Sequence, residues 1–457
     1  MTRRRLLRAR AAAVAMESSI HMMKSRNRQW MFLGALAVLL AVGLLSSRRP
    51  LADALYDRAR AEYQAGHQES ARRYVGVLSV LRRPTPFDRL LRGMLAASDQ
   101  RLDEAFAELA AIPDGHPLAP PARIVAGQAE LRRGRIRDAE TYFLDAVRLA
   151  PYALQARREL AYIYNIQHRQ TEMDDQLEAF GELQTLNFAY VLLWSKTRTV
   201  GWSPKADMPT LRKYVDADKD DRWSRLALAE GLRRQDDLDG AQALMDELEE
   251  SDPEGLAMRA TLALDRGDFP TAESLIASGS RDNPALARLR GQLALRKRDA
   301  DAAVEAYRIA YDADPLDRSS VFGLGTALHM KGDETAAAPY LAAARKQDAL
   351  FAIVAYAATE KGEKDPEVPR KLGLACAEAG RIPEARAWLK LAIKNDPLDR
   401  STQQSLYQLD KEHPPQFAGL SRTLPSNSPD GLVQQGSLAG VPRQRKNGST
   451  EPVVSPR

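Results

Sequence analysis

The sequence predicts an all-α protein: a superhelical solenoid of stacked helical hairpins, preceded by one N-terminal transmembrane helix and followed by a disordered C-terminal tail. Three observations predict it. An alanine recurs at a fixed stride, glycines and prolines keep the same phase as that alanine, and an uncharged apolar run near the N-terminus is bracketed by basic residues.

The stride comes first. Ala71, Ala105 and Ala139 are 34 residues apart, Ala241 lies three such steps beyond Ala139, Ala272 and Ala303 follow at steps of 31, and Ala337 returns to 34. Five residues before the anchor stand Gly66, Gly134, Gly267, Gly332 and, ahead of Ala385, Gly380. Twelve residues after it stand Pro117, Pro151, Pro253, Pro284, Pro315 and Pro397. The three residue types do different things. The alanine lets two antiparallel helices approach, the glycine permits a left-handed turn between them, and the proline ends the second helix.

With these anchors in register the chain resembles the tetratricopeptide repeat family, whose pattern runs W-x2-L-G-x2-Y, then A-x3-F, then P. The closest matches are Leu372, Gly373, Cys376, Gly380, Ala385, Leu389, Ala392 and Pro397; then Leu324, Gly325, Leu328, Gly332, Ala337, Leu341 and Ala344; then Gly127, Gly134, Ala139, Phe143, Ala146 and Pro151. Further repeats start near Ala52, Arg222, Pro253 and Pro284, and Pro86 to Ala119 fits with Gly93 and Ala105. About nine repeats are expected over 52–398, closed by a cap helix at 399–410 with Leu406 and Leu409 inward.

Two stretches depart from the pattern, 154–221 and 349–369. In the first, Leu160, Ala161 and Tyr164 keep the phase, but Met173 and Asp207 replace the small anchor, so the helix pairs should splay. In the second, the step from Ala337 to Ala385 exceeds one period, and the surplus (Leu350 to Thr359, then the breaker run Lys361 to Pro369) reads as an extra helix plus a loop.

Length and charge fit this architecture. A chain of 457 residues would ordinarily split into several domains, whereas stacked repeats need no single large core. A net charge of +5 is small for this length and is inflated by arginine-rich ends, so nucleic acid is not an expected partner. The sole cysteine, Cys376, rules out an internal disulfide and a cysteine-zinc cluster, and its register is that of a core residue.

Residues 1–29 form a basic segment, and 30–47 the expected membrane helix. Trp30 to Leu45 carries no charge and is flanked by Lys24, Arg26 and Arg28 before it and Arg48 and Arg49 after it. At 1.5 Å per residue, Met31 to Ser47 would span about 25 Å, so Trp30 and the flanking arginines would have to anchor and snorkel. Ser46, Ser47, Arg48, Arg49 and Pro50 offer no small-x-small cleavage site, which favours an uncleaved anchor over a signal peptide. Arg3, Arg4, Arg5, Arg8 and Arg10 place the N-terminus in the cytoplasm and the repeats on the outer, periplasmic side, whether translation begins at Met1 or at Met22 or Met23. Residues 411–457, rich in proline, serine, glycine and glutamine, are expected to be a disordered tail; Asn447 in it heads a short glycosylation-like triplet that chance explains.

Signals for catalysis, cofactors or metals are weak, and none of the three is expected. The histidines (His21, His67, His116, His168, His329, His413) have no ligand spacing. Asp216, Asp218 and Asp220 imitate a calcium loop, but Asp221 stands where glycine and Ala227 where glutamate is needed, so a helix-capping junction is the better reading. Gly323 and Gly325 lack the third glycine and the preceding strand of a phosphate loop.

Function is therefore expected from the surface the hairpins present. The resemblance implies a groove lined by first helices that holds a protein or peptide partner; carried over by register it comprises Ile124, Gln128, Arg132, Arg158, Tyr162, Trp223, Arg233, Arg288, Gln292, Arg296, Phe322, Thr326, Arg370 and Leu374. Interleaved arginine and aromatic residues suit an extended or acidic segment, with Arg233, Arg288 and Arg296 expected on successive first helices, unless these arginines only solvate the face. The expected role is a non-enzymatic, membrane-anchored scaffold or adaptor in a bacterial-type envelope. The alternatives are an envelope-biogenesis factor that coordinates membrane enzymes and a non-catalytic subunit of an enzyme complex.

Overall fold

The structure, a computed structural model, describes residues 48–199 and 204–416. The expected membrane helix at 30–47, the basic segment before it, and nearly all of the tail lie outside the described residues. No helix among the described residues is long and apolar enough to cross a membrane.

The described elements are helices joined by tight turns, in a helical-repeat solenoid that divides after Ile112 into two compact units. The first unit holds α1 (48–64), α2 (Gln68–Leu81), α3 (Pro86–Ser98) and α4 (Leu102–Ala110). Its two hairpins share a small core of Ala59, Ala71, Leu91 and Leu95, flanked by Tyr56, Tyr63 and Tyr74. Thr85 and Asp88 cap α3 reciprocally, and Arg82 donates to Asp88 at 2.9 and 3.0 Å, so the buried carboxylate has its charge met.

The second unit begins with the hairpins α5 (Ala119–Arg133) with α6 (Ile136–Leu149) and α7 (Leu154–Ile166) with α8 (Gln170–Leu183). Then come α9 (Phe188–Thr199) and α10 (Pro204–Ala217). The stack resumes as α11 (Arg222–Arg233) with α12 (Leu238–Asp246), α13 (Pro253–Asp265) with α14 (Phe269–Ser278), and α15 (Pro284–Arg296) with α16 (Ala300–Ala313). It ends with α17 (Arg318–Met330), α18 (Glu334–Ala357), α19 (Glu360–Lys364), α20 (Val368–Glu378), α21 (Ile382–Asn395) and the cap helix α22 (Arg400–Glu412).

The register of the sequence is the register of the turns. The backbone takes a left-handed φ at Gly66, Gln100, Gly134, His168, Asp236, Gly267, Arg298, Gly332 and Gly380, each five residues before its anchor. Four of these are not glycine and hold a conformation that costs an L-residue about 1 kcal/mol, so the hairpin geometry prevails over local preference. The anchor alanines, Ala71 through Ala385, are fully buried, because each faces the partner helix of its own hairpin.

The first irregular stretch differs from expectation in an instructive way. Met173 is buried, and α7 and α8 still pair closely, so the larger side chain is accommodated without breaking the hairpin. The break comes next. α9 does not pair with α10; it leaves the stack and packs on α18 and α21, while α10 returns to pack on α11. Asp207, which replaces the next anchor, therefore belongs to a helix with a different neighbour from the one its register implies.

In the second irregular stretch the expected separate helix is absent. Residues from Leu350 to Ala357 continue α18, one helix of 24 residues, and the breaker run holds only the short α19. The reason is burial along the extension: Leu350, Val354 and Ala357 are fully covered and spaced for one helical face.

Candidate protein-interaction surface

Apolar and small residues set where the first helices lie, and the polar residues between them set what the surface offers. On α5 and α7 much of the expected groove is already occupied by the chain itself. Ile124 is buried; Gln128 is buried and donates to Glu159 at 3.2 Å, which Arg158 also approaches at 3.4 Å. α10 lies over this region: Lys213 donates to the backbone oxygen of Arg132 at 3.0 Å, and the hydroxyls of Tyr162 and Tyr214 meet at 3.5 Å. The junction after α10 is fixed by Arg137, which reaches Asp218 at 2.8 and 3.1 Å, and by Asp221, whose carboxylate caps α11 at Ser224. Of the aspartates that imitated a calcium loop, Asp218 is engaged in this ion pair and Asp220 lies 3.7 Å from the same guanidinium, while Asp221, where the loop needs glycine, is the cap. No group of three or more His, Cys, Asp or Glu among the described residues could hold a metal ion.

Further along, the surface opens. Trp223 lies between the Arg222 and Arg169 guanidiniums, 4.5 and 5.2 Å from its ring. Arg233 donates to Glu230 and to Asp265, each at 2.7 Å, and the Glu230 bond holds the guanidinium firmly charged. Burial works to raise the Glu230 carboxyl, but hydrogen bonds from Arg233 and Arg234 outweigh it and keep it below the usual range. Arg296 stacks on Phe269 at 4.1 Å, whereas Arg288 and Gln292 are exposed. Phe322 is 48% exposed, with the Arg318 guanidinium 5.6 Å from its ring, and the Thr326 hydroxyl donates to the Phe322 carbonyl at 2.8 Å. Arg370 reaches Ser401 at 3.3 Å and Glu367 at 3.7 Å, next to the half-buried Leu374.

The three arginines expected to act on successive first helices are placed otherwise. Arg288 and Arg296 share α15, two turns apart, and Arg233 is on α11 with α13 between them. Arg233 is committed to two carboxylates and Arg296 to a ring, which leaves Arg288 with neither a hydrogen-bond nor an ion-pair partner among the described residues.

Sequence reading missed the segment that closes the second unit. On α9, Val191, Trp194 and Ser195 are buried. The Ser195 hydroxyl donates to Glu384 and accepts from the indole of Trp388, both at 3.0 Å. Arg381 donates to the same carboxylate at 3.3 Å. Burial raises the Glu384 carboxyl and the neighbouring Cys376 thiol. Beside this cluster Arg386 reaches Glu182 at 3.3 Å, Lys390 donates to the Gly181 carbonyl at 2.9 Å, and Arg198 joins Asp174 of α8 to Asp314, 3.1 Å away at the end of α16. Helices some 200 residues apart in sequence are thereby tied together. A composition signal existed: Trp194 and Trp388 are two of only five tryptophans, and the indole of Trp388 bonds Ser195, the residue next to Trp194.

A second repeated residue was also missed. Eighteen residues after successive anchors come Arg89, Arg123, Arg157, Arg225, Arg259 and Arg290. Arg157 donates to the carbonyl of Pro151 and Arg225 to that of Lys219. Arg259 donates to Met245, Leu248, Glu249 and Glu250, and Arg290 to Ile276, Gly279, Ser280 and Arg281. For these four the acceptors are backbone oxygens where the preceding helix or loop ends, so each bonds one repeat to the one before it, whereas Arg89 and Arg123 reach the carboxylates of Glu108 and Asp114. At the register position in α9 stands Val191.

The chain is similar to the tetratricopeptide repeat family model, which matches residues 124–173, 257–318, 288–350 and 352–400. No curated protein sequence matches it. Among solved structures, the human IFIT1 dimer with m7Gppp-AAAA is similar over 82% of this chain and 88% of that one, at 13% identity and a TM-score of 0.35. The hetero-tetramer of APC/C subunits Cut9 and Hcn1 is similar over 78% and 76%, at 13% identity and TM-score 0.32. Pseudomonas aeruginosa pilF is similar over 50% and 91%, at 14% identity and TM-score 0.24. Likenesses this distant say nothing of what this chain binds.

Proposed function

We propose that the chain is a non-enzymatic protein-interaction scaffold, held to a membrane by residues 30–47 with its repeats on the periplasmic side of a bacterial-type envelope. The observation that carries the scaffold reading is the run of repeated hairpins, whose exposed faces interleave arginine with Trp223 and Phe322 while their apolar residues are spent on stacking. Such surfaces bind through a few aromatic and arginine anchors, and none of their polar groups needs to do chemistry. The anchor rests on the uncharged run Trp30 to Leu45 with its arginine flanks, and the orientation on the cation excess before it.

Cross-linking of the full chain in its native membrane, followed by mass spectrometry, tests the scaffold reading. A partner peptide should link repeatedly to lysines near α11 to α17, whereas links confined to the chain itself would remove the proposal. Alkaline carbonate extraction tests the anchor: the protein should stay in the membrane pellet with its N-terminal segment intact, and a soluble product beginning near Leu55 would overturn it.

A further inference from the structure

The second unit carries a half-open pocket that its stacking does not require. It has a volume of ≈550 Å³, within the range of about 300–1,000 Å³ typical of ligand pockets. Its walls come from separate parts of the stack: His168 at the α7–α8 turn, Arg198 at the end of α9, Arg234 after α11, Arg288 on α15 and Arg318 at the start of α17. α9 thus supplies one wall, and the pocket exists because that helix crosses the unit.

The charge on these walls is unevenly spent. Arg198 is engaged by Asp174 and Asp314, Arg234 by Glu230, and Arg318 by Asp348. The two carboxylates of the lining are engaged as well: Asp314 accepts from Arg198 and from the Leu316 amide, and Asp317 caps α17 at the amides of Ser319 and Ser320. Arg288 alone among the lining guanidiniums has no hydrogen-bond or ion-pair partner among the described residues. The remaining lining is uncharged, with Asn165, Gln170 and Thr197 among its polar residues and Pro284, Ala285, Ala310 and Leu316 its apolar ones. Burial lowers the His168 pKa to about 4, so at neutral pH the imidazole adds no charge.

We propose that this pocket receives a carboxylate-bearing segment of a partner protein, with Arg288 reading its charge and the Asn165 amide and the second N–H of Gln170, whose first is given to Asp174, completing its hydrogen bonds. The proposal deepens the scaffold reading and rests on it. A planar guanidinium meets a carboxylate through two parallel hydrogen bonds, which makes such a pair stronger and more specific than a single point-charge contact. The two carboxylates of the lining are each held by hydrogen bonds and are outnumbered by four guanidiniums, so the pocket favours an entering anion.

The test uses the full chain and a fluorescent, end-blocked tetraglutamate peptide, with tetraglutamine as its neutral counterpart. Anisotropy should show binding of tetraglutamate only, weakened at least tenfold in Arg288→Gln and within twofold of wild type in Arg345→Gln, an exposed arginine elsewhere on the unit. Equal binding of tetraglutamine, insensitivity to Arg288→Gln, or an equal loss in Arg345→Gln would each overturn the site. Displacement by free glutarate at equal carboxylate concentration would overturn the peptide assignment in favour of a small dicarboxylate. Should tetraglutamate fail to bind while the full chain still cross-links to a partner, the pocket proposal falls and the scaffold reading stands; loss of both removes the two together.

Discussion

His168 shows how much one position in the repeat can carry. The register demands a left-handed residue there, φ is 58°, and the imidazole is tucked beside Glu230 of α11 and Arg234, which follows that helix. Burial is the main cause that lowers its pKa from 6.5 to about 4, with Arg234 adding to the effect and Glu230 opposing it. Between those values the unfolded chain binds a proton that the folded chain does not, so stability rises with pH through this window. The contribution is present in full above pH 6.5 and is lost as pH falls towards 4, at most about 3 kcal/mol. Urea unfolding at pH 7 and pH 4.5 should therefore differ more in the wild type than in His168→Gln; equal pH dependence in the two would show that other groups govern the acid limb. Ala303 makes a steric counterpart. It is fully buried against the facing helix, so Ala303→Leu should cost about 1 to 3 kcal/mol by overpacking, while Met173→Leu, a swap of similar volume at the same register, should cost under about 1.5 kcal/mol. A neutral Ala303→Leu in the same unfolding assay would mean the anchor does not set the helix spacing.

At the scale of elements, hairpins were legible because each repeat writes its own turn, anchor and stop, and the left-handed φ values fall on one register even where the residue is Gln100, Asp236 or Arg298. The path of α9 was not legible, because its partners lie on α18 and α21 and no local period records a contact that distant. Part of the groove was misjudged for the same reason: Arg132 and Tyr162 occupy the expected helices, but α10 bonds the Arg132 carbonyl and meets the Tyr162 hydroxyl. The arginine stride was legible and overlooked, since it keeps the same phase as the alanines. It has a consequence for stability. Arg259→Met should leave carbonyls at the end of α12 and in the following loop without their donor, costing about 1 to 3 kcal/mol, whereas Arg281→Met on an exposed loop should be near neutral. Hydrogen exchange should quicken around α12 and α13 in the first variant only, and an unchanged pattern would show that water replaces the guanidinium without loss.

For the second unit as a whole, closure changes how it should unfold. In an open array of repeats each unit touches only its neighbours, so end repeats fray first and stability is a sum of local terms. Here α8 and α9 are joined to α21 through Ser195, Glu384 and Trp388 and through Glu182 with Arg386, so hairpins far apart in sequence share one interface. That interface holds a buried carboxylate, and removing a hydrogen-bonding partner from it leaves buried polar groups unsatisfied, at a cost of about 1 to 3 kcal/mol. Native-state hydrogen exchange should accordingly give α7–α8 and α20–α21 similar opening free energies in the wild type. In Ser195→Ala, which strips Glu384 of one donor and Trp388 of its acceptor, the two groups should separate, with α20 to α22 opening before α11 to α16. If α20 to α22 already fray independently in the wild type, the contact between α9 and α21 does not couple the repeats, and the pocket that α9 walls would not persist in solution.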